Sequence, residues 1–236
     1  QRGIGKYVLN LIKEITKIDN INNFVFFHKR KPDYVIPNCK QLVISNILIK
    51  FLLNLKRTRA RSFFGAVESV FWALTTTSRL KHAELDLLHV TNPHKEPIFF
   101  SISAKKILTI HDVGSLICRA PWTTGEYLND LVILPQLIRT ADHIITISHC
   151  TKNDLMNYYG IPSGKISVVY NGVDEKYKPI DKSVAKRFIY QKYGIKDAFI
   201  LYLGAINWRK PLPSLISSFY ILSKRGIKHK MVLAGN

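Results

Sequence analysis

From Ile4 the apolar side chains recur at Ile4, Tyr7, Val8, Leu11, Ile12, Ile15 and Ile18. That spacing lines one face of a helix at about 3.6 residues per turn. The pattern then shortens. Phe24 to Phe27 and Leu42 to Ser45 are brief β-forming runs divided by a basic loop with Pro32 and Pro37, and they predict strands. Ile47 to Leu55 is apolar nearly all round, and Phe63 to Leu80 again suits a helix. Leu87 to Thr91 and Lys106 to Ile110 predict two more strands, the second running into His111-Asp112-Val113-Gly114-Ser115. A loop with Pro121 and Trp122 follows, then a helix near Glu126 to Arg139.

The pattern is clearest between Ala141 and Asp174. His143 to Ile147 is β-branched and unbroken, Ser148 is a natural N-cap, and Gly160 with Pro162 closes the helix that starts there. Ile166 to Tyr170 is a second strand, ended by Asn171-Gly172, residues that tolerate positive φ. Strand, helix, strand makes a βαβ unit, which demands a parallel sheet with both faces covered. Ligands of such sheets gather at the carboxyl ends of the strands, so Ser148 and Asn171-Gly172-Val173-Asp174 stand on the functional rim.

Beyond Asp174 a polar connector, Glu175 to Lys182, carries Pro179. A helix from Ser183 to Tyr193, a strand from Phe199 to Leu203 ending at Gly204, a helix from Leu212 to Arg225 and a strand from Met231 to Ala234 complete the chain. The connector predicts a boundary, with residues 1–178 as one Rossmann-like domain and 179–236 as the start of another, too short for a domain of its own. The chain begins with Gln rather than Met, and Arg2-Gly3-Ile4-Gly5 leads straight into a helix as if a loop had been cut open. The sequence therefore reads as a fragment.

Charge narrows the partners. The 236 residues carry a formal charge of +19, and 47% are hydrophobic, ample for a buried core. Such a balance calls for an anionic partner: nucleic acid, an acidic membrane surface or a phosphorylated small molecule. The apolar run from Ile47 to Leu55 is followed by Lys56, Arg57, Arg59 and Arg61 with no acid between them. It suits either a buried helix with a solvated basic end or a helix lying in an anionic membrane interface. Nothing resembles a spanning helix of about 18 apolar residues, and no signal peptide is visible. Cys39, Cys118 and Cys150 are scattered and odd in number, which suits a reducing cytosol and neither a disulfide framework nor a zinc site.

Two sets of residues are candidates for chemistry. Gly3 and Gly5 sit at a helix N-terminus, where free N–H groups and the helix dipole favour an anion; a plain loop-to-helix turn explains them equally well. His111 and Asp112 end a strand on the rim, where an imidazole and a carboxylate can serve catalysis or simply hold the loop.

The order R-G-I-G-K-Y-V, L-T-I-H-D, A-D-H-I-I-T-I-S-H-C-T-K-N-D-L, Y-G-I-P, V-V-Y-N-G-V-D and Y-L-G-A-I-N-W-R-K resembles the group 1 (family four) retaining glycosyltransferases of the GT-B fold. The resemblance covers nearly the whole chain. It implies an α/β architecture of two Rossmann-like domains, the acceptor mostly on the first and the nucleotide sugar mostly on the second. Gly3 and Gly5 then match the glycine-rich loop facing the donor phosphates. His111 matches the family's sugar-facing histidine, accompanied by Asp112, and is expected to donate a hydrogen bond to the sugar while uncharged. Lys210 matches the lysine that holds the donor diphosphate, with Arg209 beside it, and Ser148, Asn171, Gly172 and Gly204 line the cleft. Ala205 stands where many members have Arg, and Pro211 where related sequences have Asn. By this comparison the first strand, before Arg2, and the paired-glutamate half of the second domain are missing, and the fragment alone is expected to be inactive.

The function implied is transfer of a hexose from a UDP- or GDP-linked donor to a lipid-linked or oligosaccharide acceptor, with retention at the anomeric carbon. The alternative is a non-catalytic relative that binds sugar nucleotide or membrane. No cofactor and no metal are expected, since no Asp-x-Asp motif occurs and cations take the metal's place. Nucleic acid is excluded as a partner for want of any recognised binding motif. The expected location is the cytoplasm, with an anionic inner membrane face as a further partner.

Overall fold

A computed structural model describes residues 3–28, 34–43, 76, 78, 80–93, 102–117, 129–206 and 210–235. The chain divides into two compact units, Gln1–Asn171 and Gly172–Asn236. The connector from Glu175 to Lys182 is exposed and belongs to the second of them.

The first unit opens with helix α1 (Gly3–Ile18), whose apolar stripe runs where the periodicity puts it. Strands β1 (Phe24–His28) and β2 (Cys39–Val43) follow, paired in parallel with Phe24 opposite Cys39. Strand β2 begins three residues before the predicted Leu42. Its first residues, Cys39-Lys40-Gln41, lack the β-branched signal, and only pairing with β1 makes them extended. Strands β3 (Leu87–Val90), β4 (Lys105–Ile110), β5 (His143–Thr146) and β6 (Ile166–Val168) form a separate sheet in that spatial order. Every pair in it is parallel, with Ile107 opposite His143 and Ile144 opposite Ile166. Parallel pairing needs crossovers, and here they include the helical turn α2 (Gly114–Ile117), helix α3 (Leu134–Thr140) and helix α4 (His149–Tyr159).

Both faces of this sheet are covered near its carboxyl end. Leu108, Thr109 and Ile110 are consecutive, so they alternate in direction, and all are at most 2% exposed. Ile144, Leu134 and Leu155 lie in the same core cluster, each fully buried and each contributing about 1.5–3 kcal/mol relative to exposure. Helix α4 is bounded as the sequence predicts. Ser148 caps its start in an extended conformation, and Gly160 ends it at φ 64°, a left-handed position that a side chain would strain. The predicted helix near Glu126 to Arg139 instead holds a π-helical turn at Asn129–Ile133 before α3 begins. The strand expected to reach Tyr170 ends at Val168, although the Val169 N–H still donates to the Thr146 carbonyl at 2.8 Å.

The second unit comprises helix α5 (Lys182–Tyr193), capped by Asp181, strand β7 (Phe199–Leu203), helix α6 (Leu212–Lys224) and strand β8 (Lys230–Ala234). Strands β7 and β8 pair in parallel, Phe199 opposite Lys230. Apart from Leu212, its described hydrophobic side chains are not fully buried. The α/β class with parallel sheets therefore stands in both units. The basic apolar stretch from Ile47 to Arg61 lies outside the described residues, as does most of the predicted helix from Phe63 to Leu80.

Candidate functional site

Strands β3, β4 and β5 of the four-stranded sheet deliver Thr91, His111 and Ser148 to one rim, because parallel strands present all their carboxyl ends together. His111 follows β4 and is 8% exposed. Its Nε2 lies 3.1 Å from the Thr91 carbonyl oxygen. A carbonyl only accepts, so Nε2 carries the proton and donates it there. The Thr91 carbonyl therefore engages the N–H at this end of the ring. Beside His111 lies Tyr7 of α1. Tyr7 packs its ring against the imidazole in a T-shaped pair, centroids 5.0 Å apart and planes at 89°. The first turn of that helix carries Gly3 and Gly5, both exposed. A Cβ on Gly3 would meet open space, so no steric contact requires glycine there.

Below the rim the backbone of His111 is held as well. The Thr151 hydroxyl donates to the His111 carbonyl at 3.1 Å in a buried bond. With its proton so used, Thr151 accepts from the Ser148 hydroxyl at 3.0 Å, while the Thr151 N–H donates back to the Ser148 oxygen at 3.1 Å. Ser148, read from the sequence as both cap and cleft residue, has its hydroxyl engaged as a cap. The exposed Asp112 accepts the Gly114 N–H at 3.1 Å and so caps α2. Asn171 and Gly172 are exposed. Neither adopts positive φ, and a Cβ on Gly172 would touch nothing, so the conformational freedom of the Asn-Gly pair is not used.

Below His111, Thr109 is completely buried and hydrogen-bonded to His89 Nε2 at 2.8 Å and to the Tyr7 hydroxyl at 3.5 Å. Burial pushes the His89 pKa below its ordinary 6.5, because a charged imidazole is poorly solvated there.

In the second unit Gly204 ends β7 and donates its N–H to the Ala234 carbonyl at 3.0 Å. The strands approach so closely here that a Cβ on the neighbouring Gly235 would overlap the Gly204 carbonyl oxygen. Lys210 is exposed and precedes the N-terminus of α6. Its carbonyl accepts the Leu212 N–H at 2.7 Å, and Pro213 has no N–H, so the helix start has few amides left to offer an anion. Among the described residues, Lys210 carries a positive charge just before this helix. Arg209 lies outside the described residues.

A groove of about 420 Å³ lined by Val25, Lys40, Leu42, Ser78, His82 and Ala83 contains none of the rim residues. Among the described residues, no three His, Cys, Asp or Glu side chains converge to hold a metal, and no helix is long and apolar enough to cross a membrane.

The structure thus links His111 to Ser148 through Thr151 and sets it against Thr91 and Tyr7, three residues that the sequence reading did not single out; Gly3 and Gly5 share only their helix with Tyr7. Thr151 left a faint signal, a hydroxyl in the first turn of a capped helix. Tyr7 was visible only as one apolar position among several.

Over 137 residues, 55% of this chain and 16% of the relative, the sequence is 31% identical to the serotype-specific mannosyltransferase WbdA of Escherichia coli. Over 163 residues, 69% of this chain and 40% of the relative, it is 24% identical to the O-antigen chain mannosyltransferase RfbU of Salmonella typhimurium. The chain therefore spans less than half the length of these relatives. The model of Glycosyltransferase Family 4 matches residues 1–177, which include every rim residue described above. On that match the chain belongs to Glycosyltransferase Family 4.

Proposed function

We propose that this chain is part of a retaining hexosyltransferase that moves mannose from a nucleotide sugar to a lipid-linked or oligosaccharide acceptor. Family membership and two relatives named as mannosyltransferases support the sugar and the reaction. The observation that carries the site is His111, a strand-end imidazole held at Nε2 by the Thr91 carbonyl and braced by Tyr7 on the rim of a parallel sheet.

In this reading the His111 imidazole touches the transferred sugar, and its restraint pre-sets the contact before the sugar binds. In the same reading the start of α1, with Gly3 and Gly5, offers a positive helix terminus to phosphate oxygens. Breaking the glycosidic bond leaves negative charge on the departing nucleoside diphosphate, UDP or GDP. Lys210, with Arg209 next in sequence, supplies positive charge to that group. Asp112 and Ser148 support the loops beside the His111 contact.

The test is a donor screen with the protein that carries this chain, reading released UDP or GDP and the anomeric configuration of the product. Transfer from a mannosyl donor that falls at least about tenfold in His111→Gln, with unchanged melting, supports the reading. Transfer at the parent rate in that variant removes His111 from the site, and binding of sugar nucleotide without any transfer favours a non-catalytic relative.

A further inference from the structure

Residues two apart on a strand point to the same side of a sheet, so Thr109 and His111 face the same neighbour. That neighbour is Tyr7. Its hydroxyl reaches Thr109 Oγ1 at 3.5 Å, and its ring stands edge-to-face with the His111 imidazole at 5.0 Å. Thr109 is itself fixed, fully buried and bonded to His89 at 2.8 Å. Tyr7 therefore meets Thr109 at its tip and the imidazole along its side.

We propose that Tyr7 is a positioning residue, which keeps the His111 ring on the Thr91 carbonyl and couples its orientation to the helix start that carries Gly3 and Gly5. This rests on the reading of His111 as the sugar contact. The hydrogen bond at Nε2 holds the ring at its edge, and an aromatic wall at right angles restricts rotation about the Cβ–Cγ bond. Tyr7 is two residues beyond Gly5 on the same helix. Movement of the helix start is thereby transmitted to the imidazole through one rigid side chain.

The experiment has two arms. In the first, long-range proton–nitrogen NMR spectra of the 236-residue chain report the His111 tautomer. The parent is expected to show the Nε2–H form. Tyr7→Leu and Tyr7→Met, which remove the ring, should show exchange-broadened or mixed tautomers, while Tyr7→Phe keeps the parent pattern. Methionine repeats the test if the leucine variant does not fold. In the second arm, performed on the transfer-competent protein, loss of the ring lowers kcat on the order of 10- to 100-fold with KM nearly unchanged, as expected when a reacting group is misplaced. Tyr7→Phe should restore most of the rate.

A parent-like His111 spectrum in both ring-deleted variants overturns the proposal, as does parent kcat in them when His111→Gln is impaired. If His111→Gln transfers normally, the site reading fails instead, and the tautomer arm still decides whether Tyr7 orders the ring.

Discussion

Replacing Thr151 with valine removes one hydroxyl and keeps the branched shape, so it isolates the buried bond under His111. The cap of α4 should survive, because it is the main-chain N–H of residue 151 that donates to Ser148 at 3.1 Å. Ser148 loses an acceptor at 3.0 Å, but it is half-buried and can turn to water. What remains is the His111 carbonyl, deprived of a donor 3.1 Å away in a buried setting. Leaving one such acceptor unmatched costs about 1–3 kcal/mol. For a chain of this size each kcal/mol lowers the melting temperature by about 2–4 °C, so the expected fall is about 2–12 °C. Urea unfolding and thermal melting by far-UV circular dichroism measure it. Thr151→Ser is the control, since it restores the hydroxyl and loses only a methyl, worth about 0.8 kcal/mol. If valine leaves stability within about 0.3 kcal/mol of the parent, or serine destabilises as much as valine, the bond is not holding the rim and the reasoning fails.

Burial holds the His89 pKa below 6.5, so as pH falls the unfolded chain takes up this proton first; stability present above 6.5 is lost progressively toward the folded-state pKa. His89→Gln should narrow the difference in urea midpoint between about pH 7.5 and about pH 5.5, and an unchanged difference counts against the assignment. Gly235→Ala forces its Cβ into the Gly204 carbonyl and should cost about 1–3 kcal/mol, read as faster amide exchange in β7, whereas Gly172→Ala, which meets nothing, should change little. Lys210→Ala should lower turnover about 10²–10³-fold without altering the melting curve, because the side chain is exposed and its proposed partner is the leaving diphosphate; normal kcat/KM would dismiss that role.

Elements whose cause is local were legible in the sequence. Helix α4 announced both its ends, through a serine that caps and a glycine at φ 64°, and α1 announced its apolar stripe, half-buried along most of its length. Strand β2 did not announce its start, because Cys39 to Gln41 are extended only through their pairing with β1. The π-helical turn at Asn129–Ile133 was equally hidden, since one extra residue per turn leaves no mark in a short apolar pattern. The candidate site divides the same way. His111 could be placed on the rim from its strand alone. Its neighbours could not, because Tyr7 and Thr151 meet it across 104 and 40 positions of chain, Tyr7 by ring packing and Thr151 by a hydrogen bond.

Two of the restraints on His111 use main-chain atoms: the carbonyl of Thr91 and the carbonyl of His111 itself. Every amino acid brings a carbonyl, whereas few bring a hydroxyl. A saturation library is therefore expected to find position 91 permissive while its backbone stays in place, and position 151 confined to serine and threonine. Part of what orders this imidazole is thus carried by atoms that have no letter in the alphabet of the sequence.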